Sequence, residues 1–262
     1  MILFMHELRQ NLKTLIIWSL SVGLICYGCI LLYKSVEHQL KDMAQLYTNM
    51  GEMTKALGLD KVSIATLNGY FATEIVIMFG LGAGMFAAMM GASSLSKEEE
   101  GHTSEFLHTL PLGRLNILIW KYFSLLFMIL IFNGIVAGLE VLGIWQINLD
   151  FSYDLLLRYQ LLALLMQVEV GSLAFLLSAL SRKKQIGLSL GLVLLLYVMD
   201  MMSRIVPDIE FLKYLTPYYF ASGADVFSQV RVQPEYLAMA FAVIAISLVL
   251  SSLYYQRKDL SA

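Results

Sequence analysis

The sequence predicts an all-α, polytopic membrane protein with six transmembrane helices. Three observations carry that expectation. The 262 residues are 58% hydrophobic and only 15% charged, against about 25% charge in soluble domains. The deficit is concentrated in six long runs poor in charge, near 14–33, 72–95, 115–145, 155–180, 186–203 and 235–255. At 1.5 Å per residue, each can cross a hydrocarbon core of roughly 30 Å. Finally, the tight loop 181–185 holds Arg182, Lys183 and Lys184 with no acid, as cytoplasmic loops between spans do.

The first run, 14–33, follows Arg9 and Lys13 as a secretory signal would. It is long enough to span, however, and no small-residue cleavage pattern follows, so it reads as a retained helix. Cys26 and Cys29 lie inside it, where two small buried hydrophobes are a better reading than a redox pair. Residues 34–70 carry Val36, Leu40, Met43, Leu46 and Met50 at helical spacing. That spacing suits an amphipathic helix at the outer interface or a loop packed on the bundle.

The second run contains Gly80, Gly84, Ala88 and Gly91, and the fifth contains Gly187 and Gly191. Small residues four apart let helix backbones approach closely, either within the chain or between two copies. The third run is longer than a span needs, so one end projects into water. Residues 204–234 mix charges with Phe211, Leu212, Tyr214, Tyr218, Tyr219 and Phe220, a composition that favours the headgroup level or a packed loop. The basic loop 181–185 sets the orientation. Alternation then puts both termini and loop 96–114 in the cytoplasm, with the whole chain, 1–262, forming one transmembrane domain.

Four carboxylates fall within or near spans: Glu74, Glu140, Glu169 and Asp200. A charge at the membrane centre costs about 2.5–3.5 kcal/mol on insertion scales. Glu169 is the deepest, and reads either as a substrate- or proton-contacting group or as a protonated carboxyl bonded between helices. Asp200 has Arg204 one turn on, which suits a local ion pair. Glu74 and Glu140 lie toward span ends, where water is expected to reach them.

Loop 96–114 is the most informative stretch. Ser96 followed by Glu99 fits a capping box, and Gly101 favours a break. A short helix starting at Thr103 or Ser104 would stop before Pro111. Its apolar side is Phe106, Leu107 and Leu110. The acidic entry Glu98, Glu99 and Glu100 runs against the positive-inside trend and suggests a protein partner, a basic one.

In this loop the chain resembles the type 2 ATP-binding-cassette (ABC) permeases, the membrane subunits of bacterial exporters. Glu98–Glu100, Gly101, Thr103, Glu105, Leu107, Pro111, Arg114 and Lys121 stand in that family's order, with His102 as an insertion between Gly101 and Thr103. The segment LKYLTPYYF at 212–220 is similar to the Tyr-x-x-Pro-aromatic stretch between the family's fifth and sixth spans. The resemblance implies a coupling helix that docks on a separate ATPase subunit. Thr103, Glu105, Phe106 and Leu107 would lie at that contact, and Pro111 and Arg114 would set the return into the third span. It implies two ATPase copies, a second permease subunit as a homo- or heterodimer, and a bacterial plasma-membrane location. The segment with Phe4, Leu8 and Leu12 resembles the family's amphipathic helix at the inner membrane surface.

No cofactor is expected in this chain. It carries no G-x-x-x-x-G-K-Ser/Thr phosphate loop, so ATP and Mg would sit in the partner. A net charge of −2 gives no footprint for nucleic acid. An intramembrane enzyme is disfavoured, because the Glu-Glu-x-x-x-Arg of CAAX-type proteases would need Arg at 103, where Thr103 stands, and all four histidines fall outside the spans. The alternative function is an ATP-independent channel or secondary carrier using Glu169 and Glu140, which leaves the cytoplasmic loop unexplained. The abundance of Met, Phe and Tyr fits membrane lipid around the bundle and an amphipathic or hydrophobic cargo, such as an exported peptide.

Overall fold

The computed structural model describes residues 2–47, 54–55, 57–102 and 113–258. Six helices are long and apolar enough to span: α1 (Ile2–Tyr47), α2 (Leu67–Ser93), α3 (Arg114–Ile147), α4 (Tyr153–Leu180), α5 (Ile186–Ile205) and α6 (Pro234–Arg257). Strands do not occur among the described residues. Local chemistry sets several ends. Thr66 caps α2 by accepting the Gly69 N–H at 3.1 Å, Asn148 closes α3 in the left-handed conformation, and Pro234 starts α6 where no N–H is needed.

The N-terminal turns are not a separate surface helix. No proline occurs in residues 2–47, and α1 runs unbroken for 46 residues, about 69 Å. Residues 34–47 are its continuation beyond the far side of the bundle. They therefore do not form an independent interfacial helix, while residues 48–53 and 56 of that stretch lie outside the described residues.

The helices α2 and α4 form the centre, with α1 packed chiefly on α3, α5 on α2 and α6 on α4. Large buried rings fill the middle. Phe86 and Phe132 stack with centroids 4.5 Å apart, and Phe79 meets Tyr159 edge-on at 5.9 Å. The glycines of α2 serve packing within the chain. A Cβ on Gly91 would lie 2.4 Å from the Gly171 carbonyl oxygen of α4, and one on Gly84 would lie 2.2 Å from the Tyr218 hydroxyl. Gly187 and Gly191 have open space around them instead.

Between α5 and α6 the chain turns back into the bundle. The 3-10 turn Pro207–Tyr214 leads to Thr216, whose hydroxyl donates to the Leu196 carbonyl at 2.7 Å. Leu196 is nine residues inside the end of α5, about 13 Å deep. Tyr218 Oη donates to the Gly80 carbonyl of α2 at 3.3 Å. The aromatic cluster is therefore a re-entrant plug, deeper than the headgroup level suggested by its composition. Arg204 clamps it by donating to Asp200 at 3.0 Å, Asp225 at 3.1 Å and the Tyr219 carbonyl at 3.2 Å. Lys61 adds a second cation on Asp225 at 2.5 Å.

Candidate functional site

The two termini, the base of loop 96–114 and the α4–α5 turn meet on one face. At its centre is Lys121, about two turns inside α3, with no exposed side-chain surface. A lysine is almost never fully buried unless paired, and Lys121 has three acceptors. Its Nζ donates to Glu7 Oε1 at 2.9 Å, to the Ser94 carbonyl at 2.8 Å, and to Glu98. Glu7 also receives Lys97 on its other oxygen at 2.5 Å. Its carboxylate therefore bridges two ammonium groups, tying α1 to the end of α2 and the start of α3.

The remaining contacts extend the tie outward. Lys258 Nζ lies 2.6 Å from Glu99 Oε1 and donates to the Ser181 carbonyl at 2.7 Å. Glu100 accepts the Lys184 backbone N–H at 2.8 Å. Arg114 donates to the Gln256 and Lys258 carbonyls, each at 2.9 Å. Ser178 of α4 accepts the Leu95 and Ser96 N–H groups at 2.9 and 3.0 Å. The three carboxylates Glu7, Glu98 and Glu99 balance Lys97, Lys121 and Lys258. Burial pushes the Lys97 ammonium below its ordinary value, with neighbouring Lys121 adding to the fall and Glu7 and Glu98 opposing it.

The acidic run is thus engaged within the chain at all three positions. Ser96 does not form the expected capping box. It stands at the N-cap of the short helix Lys97–Glu100, but its hydroxyl donates back to the Ala92 carbonyl at 3.0 Å instead of accepting from that helix. The inserted His102 takes the left-handed conformation, with φ 52°, and so makes the turn that Gly101 was expected to make. Thr103, Glu105, Phe106, Leu107 and Pro111 lie outside the described residues; on the flanks, the Gly101 and His102 N–H groups donate to the Lys97 and Glu99 carbonyls and Arg114 is held by the α6 carbonyls.

The two in-span candidates are separate. Glu140 is fully buried, not water-accessible at a span end, because α3 extends past it to Ile147 and α1 and α4 cover it. Its Oε2 accepts Gln160 Nε2 of α4 at 2.6 Å. This is one rung of a polar seam joining α3 to α4. Asn133 and Gln167 exchange amide hydrogen bonds at 2.9 Å, and Tyr122 meets Ser172 at 2.8 Å. Glu169 faces different neighbours, α6 and the re-entrant plug. Glu74 is exposed on a π-helical turn, Phe71–Ile75.

Sequence reasoning missed Glu7 and Lys258 and gave Lys121 no task. A usable signal was present for Glu7: it follows Leu3 by four residues, so the two share a helix face, and both are buried. Among the described residues, no cluster of three His, Cys, Asp or Glu side chains could hold a metal. Compared with known proteins, residues 1–260 match a family model described as ABC-2 family transporter protein. No curated protein matches the chain.

Proposed function

The chain belongs to the ABC-2 transporter family and is a permease subunit, and from that premise we propose that it exports cargo under the drive of a separate ATPase. The observation that carries this reading is the buried ion network around Lys121. A loop that only closed two spans would not need both its ends locked to α1, α4, the α4–α5 turn and α6. Such locking suits a loop that receives force.

In the proposed mechanism, two ATPase copies bind ATP and Mg and serve a permease dimer, homo- or heteromeric. Closure of the ATPases moves the docking segment that contains Thr103, Glu105, Phe106 and Leu107. Glu98, Glu99, Glu100 and Arg114 hold the base of that segment, so the helices tied to it move together. On the opposite face, α2 carries the motion to the re-entrant plug through the Gly84–Tyr218 packing. The termini are assigned to the cytoplasm of a bacterial cell. Support comes from the exposed Arg9, Lys13, Arg182, Lys183, Lys184 and Arg257 on that face, where Glu7 and Glu99 are buried and Glu98 is half-buried. The cargo class is an amphipathic or hydrophobic molecule, with peptides the first to test, and Glu169 and Glu140 are the in-span carboxylates proposed for its path.

The test is co-purification. Glu105→Lys with Phe106→Asp abolishes recovery of a phosphate-loop ATPase while leaving the membrane subunit intact. Equal recovery with the wild type would remove the docking assignment.

A further inference from the structure

Glu169 poses a problem that the ion network does not answer. Its residue is 5% exposed, and its Oε2 has no hydrogen-bond partner among the described residues. A carboxylate buried without a donor is unfavourable and calls for a cation or a proton. Glu169 lines a cavity of about 10 Å³, close to the room one water molecule needs and matched in size by a primary ammonium group. The other walls include Lys213, Tyr214 and Thr216 of the re-entrant segment and Tyr236 and Met239 of α6. The rings of Tyr214 and Tyr236 lie 5.3 Å apart, and Tyr219 lies 5.2 Å from Tyr236. A carboxylate beside electron-rich ring faces is the chemistry that receives an ammonium.

The chain already holds one primary ammonium at this place. Lys213 Nζ lies 5.3 Å from the Tyr214 ring centroid and is bonded to Glu210 at 2.6 Å. Glu210 is 58% exposed on its side chain, whereas Glu169 is buried. Lys213 therefore has two carboxylates to choose between, one at the surface and one across the cavity. The wall that carries it is lightly held: Pro207–Tyr214 has no buried residue and is kinked at Ile209.

We propose that Glu169, with Tyr214 and Tyr236, receives a protonated primary amine of the cargo, and that Lys213 is the competitor that expels it. In the exchange Lys213 leaves Glu210 and pairs with Glu169. The cargo amine departs with its proton, so the charge in the cavity is unchanged. This deepens the export reading and rests on it, but its binding step is measured without any ATPase.

The experiment uses the full chain in lipid nanodiscs, with phenethylammonium as probe and phenethyl alcohol as its neutral analogue. The readout is the thermal unfolding midpoint against probe concentration. The ammonium raises the midpoint saturably in the wild type and the alcohol does not. Glu169→Gln loses the response. Lys213→Met keeps it, with half-saturation at about tenfold lower probe concentration, the scale of one lost cation–carboxylate competitor. Equal responses to amine and alcohol, or an undiminished response in Glu169→Gln, would overturn the site. Unchanged half-saturation in Lys213→Met would overturn the exchange. Failure of ATPase co-purification would instead remove the export reading and leave the amine result standing.

Discussion

Replacing Lys121 by Met removes the cation that joins three segments of the chain. Removing one partner of a buried ion pair costs about 3–5 kcal/mol, because the other charge is left without compensation. Two features put Lys121→Met at the lower end. Glu7 keeps Lys97 at 2.5 Å, and the Glu98 side chain is 15% exposed, so water reaches it. The expected loss is therefore about 3 kcal/mol, or a fall of about 6–12 °C in the unfolding midpoint at about 2–4 °C per kcal/mol for chains near this size. The assay is thermal unfolding in lipid nanodiscs, with Lys13→Met, an exposed lysine, as the control within about 0.5 kcal/mol of wild type. Adding Glu7→Gln to Lys121→Met removes both partners of the Glu7–Lys121 contact. The double variant is then more stable than the two single losses sum to, by about 1 kcal/mol or more. A Lys121→Met midpoint equal to that of the control, or strictly additive losses, would refute the claim that these charges are one buried unit.

Two further predictions concern the opposite face. Gly84→Ala places a Cβ 2.2 Å from the Tyr218 hydroxyl and destabilises by about 1–3 kcal/mol as an overpacked site. Tyr218→Phe in that background restores most of it, since the next ring atom is 3.4 Å away; unfolding of the two variants decides this, and no rescue would contradict the packing. At Asp225, burial by itself raises the carboxyl, but Arg204 and Lys61 outweigh it and hold the group below the ordinary Asp value. The folded chain then binds fewer protons than the unfolded one near that value. The stabilisation is complete above the unfolded pKa of about 3.9 and is lost as pH falls through the lower folded value. Asp225→Asn thus lowers the midpoint at pH 7, and its gap to wild type closes on acidification below about pH 4. A gap that widens would refute the sign.

The six spans were legible because bilayer crossing demands long apolar runs, and the sequence holds six. The Asp200–Arg204 pair was legible because four residues make one turn. The plug was less so. Phe211 and Tyr218 belong to one aromatic cluster, yet Phe211 is exposed and Tyr218 is buried against Gly80 and Gly84. That difference depends on the glycines of another helix more than a hundred residues away. The unbroken α1 was legible in principle, since nothing between Ile2 and Val22 breaks a helix, but the family resemblance favoured a separate surface segment. The ion network was hardest to read. Glu7, Lys121 and Lys258 are 114 residues or more apart in sequence, and each alone looks like an ordinary charge at a span end.

The central claim is that the Lys121 network passes nucleotide-driven motion from the loop to the opposite face. Spin labels at Met43 and Phe211, both exposed, report that face once Cys26 and Cys29 are replaced by alanine. Measured in the complex with its ATPase, the distance between them changes on adding ATP and Mg in the wild type. In Lys121→Met the ATPase still co-purifies, but the distance stays constant. The same nucleotide-dependent change in both would contradict the account.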